Sequence, residues 1–223
     1  MGSFYRAKKR KNIMMKLYDL DRSGNCYKIR LFLSLLNVEY IKIPVNIMTG
    51  EHKTDEFLSL NPNGLLPVLT DSVTTIYDSS AILVYLAKRY DKDNWLPDDA
   101  IVFSNVIRWL TFEQNENRYG LARARAKKMN IPTAFAKSGT LEECHVLSAI
   151  ALKMLDSQLE QTKWLATQEN PTVCDIACYP YTAMCEEGGV SLKPYKAVNK
   201  WLKNIEGLDG YIPLPQYKHH GYS

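Results

Sequence analysis

The sequence predicts an α/β domain followed by an all-helical one. Three observations carry this. Strand-like and helix-like apolar runs alternate up to residue 90, strand patterns stop after the turn-rich stretch DKDNWLP (91–97), and the apolar spacing from 101 to about 208 is helical throughout. The boundary falls near 93–99.

The elements follow in order. KLYDL (16–20) reads as a short strand, and residues 26–36 place Ile29, Phe32, Leu33 and Leu36 on one helical stripe. Asn37 ends that helix, and the β-branched YIKIPV (40–45) reads as a second strand. Residues 48–53 form a loop and 55–60 a short helix, closed by the turn signal Asn61-Pro62-Asn63-Gly64. Residues 66–70 and 74–77 pair as a hairpin, and a helix starting at Ser79 or Ser80 carries Ile82, Leu83, Leu86 and Tyr90. The order β-α-β-α-β-β-α needs one parallel crossover and one antiparallel hairpin in a single mixed sheet. Beyond the boundary, helices are predicted over about 100–128 and 141–160, then from 172, where Thr172 and Asp175 have capping-box spacing, and over 195–205 before Gly207. The expected organisation is a basic leader (1–14), an α/β domain (15–92), a linker (93–100), a helical bundle (101–212) and a loose tail (213–223).

Charge and cysteine usage exclude several classes. The net charge is +4, but five of the 28 basic residues fall in the first twelve positions, leaving 23 against 24 acidic. The body is near neutral, which gives no reason to expect nucleic acid. No apolar run approaches the ~18 residues of a membrane helix, nor do the leader's charges precede a secretory apolar stretch. Five cysteines, an odd and sparse set, argue for reduced thiols in the cytoplasm. Cys174 and Cys178 lie four apart but lack a zinc-spaced partner, so no metal is expected.

Four stretches of the first domain carry chemistry. RSGNCYK (22–28) opens the first helix, GEHK (50–53) sits in a loop, LPV (66–68) puts proline at a strand head, and YDSSAI (77–82) opens the third helix. Each has an ordinary explanation alone. Serine at a helix start is routinely an N-cap, a Lys and a His in a loop are routinely solvated, and proline commonly heads an edge strand. Together with NPNGLLPVL (61–69) and NPTVCDIACYPYTAMCEEGGVSLKPY (170–195), they resemble the glutathione transferase superfamily, in particular bacterial members of its serine-containing branch, with theta- and nu-like features. The resemblance covers about residues 15–212.

That resemblance implies a thioredoxin-like first domain, glutathione as cosubstrate, a homodimer, and a role in detoxifying small electrophiles. It assigns the γ-glutamyl end of glutathione to Asp78, Ser79 and Ser80. The glycyl carboxylate falls to His52 and Lys53, and the cysteinyl backbone to Leu66, Pro67 and Val68, with Pro67 in the cis form. A helix N-terminus is physically suited to the carboxylate. A free thiol near pKa 8.5 is only ~3% thiolate at pH 7, and lowering it by ~2 units needs ~2.7 kcal/mol of differential stabilisation. A charge-assisted hydrogen bond and a helix start can supply that. Ser23 matches the position of the branch's catalytic serine, Asn25 that of a nu-class asparagine reaching the sulfur, and Cys26 that of a structural theta-class cysteine. All three stay open as thiolate partners, with Ser23 and Asn25 taken as the catalytic pair. Candidates for the electrophile pocket are Tyr18, Trp109, Phe112 and Arg123, with Tyr119 and Arg125 nearby in sequence. Glutathione-dependent disulfide reduction and a non-catalytic binding module of the same fold are the alternatives.

Overall fold

Leu17 and Asp19 point to one face of the first strand and Tyr18 to the other, as a period of two requires. This strand, β1 (Lys16–Asp19), is central in a four-stranded sheet of order β2-β1-β3-β4. It pairs in parallel with β2 (Ile41–Pro44), Lys16 opposite Ile41, and antiparallel with β3 (Val68–Thr70), Tyr18 opposite Val68. β3 forms a hairpin with β4 (Thr75–Tyr77), and the Asp71 side chain closes the turn by accepting from the Val73 and Thr74 amides. The sheet is mixed, as the sequence predicts. The computed structural model describes residues 14–90 and 95–215, so the leader up to 13, part of the linker and the tail beyond 215 lie outside the described residues.

Two helices cover the Leu17 face: α1 (Gly24–Leu35) and α3 (Ser79–Tyr90). The other face is covered by α2 (Asp55–Leu60), whose Phe57 packs with Val45, Val68 and Tyr18. A short 3₁₀ turn, Glu51–Lys53, replaces the loop expected there. It precedes Thr54, which caps α2 by accepting from the Phe57 amide. α1 starts at Gly24, two residues before the apolar stripe, because the Ser23 hydroxyl caps it.

In the helical part, residues 100–128 run as one continuous helix, as expected, but not a uniform one. α4 (Ala100–Phe112) passes into a π-helical segment, Glu113–Ala122, before α5 (Arg123–Lys128) resumes α winding. Such wide turns are rare and concentrate at functional places. Here the segment presents Glu113 toward the α/β part and Asn117 to the Cys178 carbonyl and Thr182 hydroxyl. It also presents Gly120 to α7 (Leu141–Leu159), where a Cβ would lie 2.7 Å from the Ser148 amide nitrogen. A four-residue helix, α6 (Ala134–Lys137), was not expected from the pattern.

α8 (Val173–Ala183) is buried nearly all round, as a central helix must be. Asp175 is buried at its start and accepts four hydrogen bonds, from the amides of Leu165 and Thr172, the Thr172 hydroxyl and the Trp201 indole. α9 (Lys196–Glu206) packs its apolar stripe of Val198, Trp201, Leu202 and Ile205 inward. One apolar cluster runs from Ile29, Phe32 and Leu83 through Trp95 and Trp109 to Cys178 and Trp201. The hydrophobic core is therefore continuous across the boundary. The segment after α9 also joins it: Leu214 packs on the cluster, and the Tyr27 hydroxyl donates to the Ile212 carbonyl at 2.5 Å.

Candidate active site

The turn from β1 into α1 is held by its carbonyls. Arg30, paired with buried Asp19, donates to the Asp21 carbonyl at 2.9 Å. Arg125 donates to the Arg22 carbonyl at 3.1 Å while paired with Glu187 at 2.6 Å. Arg125 thus serves the serine turn from the helical part. Ser23 follows in extended conformation, and its Oγ accepts from the Cys26 amide at 3.2 Å. Capping uses a lone pair and leaves the hydroxyl proton to donate, so the ordinary role and the catalytic one are compatible.

Exposure sorts the three residues that the sequence left open. Ser23 and Asn25 are part-exposed, whereas Gly24 and Cys26 are buried. The Cys26 sulfur accepts from the Leu20 amide, and burial, then the charge of Asp19, pushes its thiol up to about 12. Cys185 is likewise pushed to about 12, and Cys174 and Cys178 are raised, in each case chiefly by burial. Above the ordinary thiol pKa of 9.0 the unfolded chain ionises these groups while the folded chain does not. Stability contributed here is therefore present below pH 9 and lost as pH rises above it. Melting temperatures should fall steadily between pH 8.5 and 10.5, and Cys26→Ala should keep the wild-type rate with glutathione. A Cys26→Ala variant as impaired as one lacking Ser23 would reverse this assignment.

Asn25 turns its Oδ1 to Lys28 Nζ at 2.8 Å. Lys28, on α1, is fully buried, with Glu113 Oε1 at 2.5 Å and the Ser79 hydroxyl at 3.5 Å. Glu113 Oε2 takes the Gln114 amide at 2.9 Å, and the same Gln114 nitrogen lies 3.3 Å from the Ser80 hydroxyl. Tyr181 of α8 closes the turn from above. Its hydroxyl accepts from the Asn25 amide, burial pushes it up to about 12, and its ring would meet a Cβ at Gly24 at 2.7 Å.

Asp78 sits just ahead of α3 with φ +74, a left-handed conformation that Asp tolerates better than most residues. Its Oδ1 accepts from the Ser80 and Ala81 amides, so the cap of α3 is Asp78, and the buried Ser79 is released from the capping role that alone would explain it. The Leu66–Pro67 peptide is cis. Lys53 Nζ lies 3.2 and 3.3 Å from the carbonyls of Asn63 and Gly64, over the Asn61–Gly64 turn. Neighbouring His52 is held below its ordinary pKa by burial and then by the charge of Lys53, which keeps its ring neutral at pH 7.

The structure thus brings Asn25, Ser79 and Ser80 into one constellation around Lys28 and Glu113, Ser80 through Gln114, with Ser23 capping the helix that carries Asn25 and Lys28. It does not bring in the pocket candidates in the same way. Tyr18 packs edge-on against Phe57, away from α1. Trp109 and Phe112 are buried against each other, and the Arg123 guanidinium stacks 4.4 Å over the Tyr119 ring and 5.0 Å over that of Phe135. Lys28, Glu113 and Tyr181 were missed as site residues. Lys28 lies just off the predicted apolar stripe of α1, where a lysine reads as solvent-facing, and only the burial of the whole helix shows otherwise.

Known proteins share this sequence pattern and fold. Residues 22–89 match the family model of the glutathione S-transferase N-terminal domain. A glutathione S-transferase structure from Pseudomonas fluorescens superposes with a TM-score of 0.83 at 33% identity, covering 91% of this chain and all of that one. The chain belongs to the glutathione S-transferase superfamily. A zeta-class glutathione S-transferase from Euphorbia esula is 42% identical over 85 residues, which span 38% of either chain. A glutathione transferase homologue from Drosophila mojavensis with bound glutathione is 25% identical, with a TM-score of 0.77, over 88% of this chain and 89% of that one. As a member of this superfamily the chain is an enzyme of the transferase class, with the thioredoxin-like domain and helical region of its relatives. Among the described residues no cluster of His, Cys, Asp or Glu is arranged to hold a metal, and no helix is long and apolar enough to cross a membrane.

Proposed function

We propose that this transferase binds glutathione along the Lys53–Pro67–Ser79 side of the α/β part. Its thiol is then held as a thiolate by the Ser23 hydroxyl and the Asn25 amide for attack on small hydrophobic electrophiles. The observation that carries the reading is the turn at 23–25. Its two part-exposed side chains are both hydrogen-bond donors at a helix N-terminus, with the thiol between them and the core buried and inert. His52 and Lys53 take the glycyl carboxylate, Leu66, Pro67 and Val68 the cysteinyl backbone, and Asp78, Ser79 and Ser80 the γ-glutamyl end. The electrophile enters between the α/β and helical parts, where Trp109 and Phe112 act from within the core rather than as pocket surface.

The test is retention on immobilised glutathione, followed by steady-state rates with an aryl halide and with a mixed disulfide. Retention together with aryl-halide conjugation is the expected result. Loss of retention would favour a non-catalytic binding module. A much faster disulfide reaction would favour glutathione-dependent disulfide reduction, to which an Asn25 carboxamide aimed at the sulfur also lends itself.

We place the enzyme in the cytoplasm as a homodimer. Support comes from exposed apolar residues one turn apart, Phe103 and Ile107 on α4 and Val146, Ile150 and Met154 on α7. The mass of the eluted protein in solution reads this directly, and a monomer at micromolar concentration would refute it.

A further inference from the structure

Lysine is among the residues least often buried, yet Lys28 is fully enclosed, with its ammonium at the meeting point of three elements. An ammonium has three N–H donors and no acceptor. Its neighbours here are Glu113 Oε1 at 2.5 Å from the helical part, Asn25 Oδ1 at 2.8 Å from α1, and Ser79 Oγ at 3.5 Å from α3. Each must face it with a lone pair. For Asn25 this settles the orientation of the amide, with oxygen toward Lys28 and the NH₂ group turned the other way. For Ser79 it occupies a lone pair and leaves the hydroxyl proton to point elsewhere. Gln114 does the same for Ser80, donating to its hydroxyl while bonded to Glu113.

We infer that Lys28, paired with Glu113, is a positioning residue that sets the polarity of the site, turning the Asn25 carboxamide and the Ser79 hydroxyl into donors for a ligand with an anionic sulfur and an anionic carboxylate. The inference rests on the proposed reading of Asn25 and Ser79 as glutathione contacts. Glutathione carries both anions, and an Asn25 amide presented oxygen-first would repel the sulfur it is meant to hold. The contact with Glu113 at 2.5 Å balances the lysine's charge, so Lys28 acts through the orientation of its neighbours and not as a second anion-binding cation. Tyr181 completes the enclosure, with the ammonium 5.5 Å from its ring centre. The polarity of the α/β part's site is thereby fixed by a carboxylate from the helical part.

The decisive variant is Lys28→Met/Glu113→Gln, which removes both charges at similar volume and leaves neither one buried alone. Lys28→Met by itself is the less informative change, since it strands Glu113. The folded double variant is expected to show a roughly tenfold higher KM for glutathione and a pH midpoint of kcat/KM displaced upward by about one unit, with a smaller change in kcat. A purely structural role would lower the melting temperature without moving that midpoint. A folded double variant with wild-type KM and midpoint would overturn the inference. If wild-type protein fails to bind glutathione at all, the underlying reading fails instead, and the wild-type control separates the two cases.

A second measurement needs no folded variant. In wild-type protein with ¹⁵N-labelled asparagine, the Asn25 side-chain amide signal should shift when glutathione is added at pH 8. It should shift much less with S-methylglutathione, which keeps the carboxylates but lacks an ionisable thiol. An Asn25 amide indifferent to glutathione would overturn the inference whatever the double variant does.

Discussion

Ser23→Ala is expected to lower kcat/KM for glutathione conjugation roughly 10- to 100-fold and to raise the pH midpoint of the bound thiol by about one to two units. The magnitude follows from the chemistry. A hydrogen bond to a charged group contributes about 1.5–3 kcal/mol, and each 1.4 kcal/mol is tenfold in rate or one unit of pKa. The fold should survive, since losing an N-cap hydroxyl costs about 1 kcal/mol, and the turn keeps its clamps from Arg30 and Arg125. Asn25→Ala should act in the same direction, and the pair together should remove most thiolate formation. Thiolate absorbance of bound glutathione, titrated from pH 5 to 9, measures the effect directly. If both single variants retained wild-type rates, the thiolate mechanism proposed for this turn would be wrong.

The second large effect lies far from the ligand. Asp175→Ala removes an acceptor that serves the Leu165 and Thr172 amides, the Thr172 hydroxyl and the Trp201 indole, all in a buried setting. A stranded buried donor costs about 1–3 kcal/mol, and at least two of these four have no alternative acceptor in reach of a methyl group. A loss of about 3 kcal/mol or more is expected, which for a chain of this size lowers the melting temperature by roughly 6–12 °C. Burial raises the carboxyl's own pKa despite those four donors, so the position is demanding in either charge state. Thermal unfolding of Asp175→Ala beside Thr172→Ala decides the matter, and a melting point within 2 °C of wild type would refute it.

What the sequence disclosed was what lies close together along it. The alternation of strand and helix patterns gave the order of the α/β part, and the Thr172–Asp175 spacing announced the start of α8. Where it fell short, the determining partner was distant or the signal had no period. Lys28 and Glu113 are 85 positions apart, and nothing local links a lysine in one amphipathic helix to a glutamate in another. The π segment has no apolar repeat of its own to read, so residues 113–122 passed as ordinary α-helix. At α3 the residue types were recognised but their duties were not separable. Aspartate and serine both cap helices, and only the Ser80 and Ala81 amides, turned to Asp78 Oδ1, show which one does. Aromatic residues on the long helix gave no sign of whether they faced core or cleft, because both demand the same side chains.

The continuous core bears on modularity. On α1, Tyr27 packs against Tyr179 and Phe32 against Trp95, both from beyond the α/β part. The ligand-holding half of this enzyme is therefore not a portable unit. Cut free near residue 90, it would expose a large apolar face of the kind that drives association, and it would lose the carboxylate that keeps Lys28 in place. Whole chains, not halves, are the interchangeable parts from which variants or chimeras of this transferase can be built.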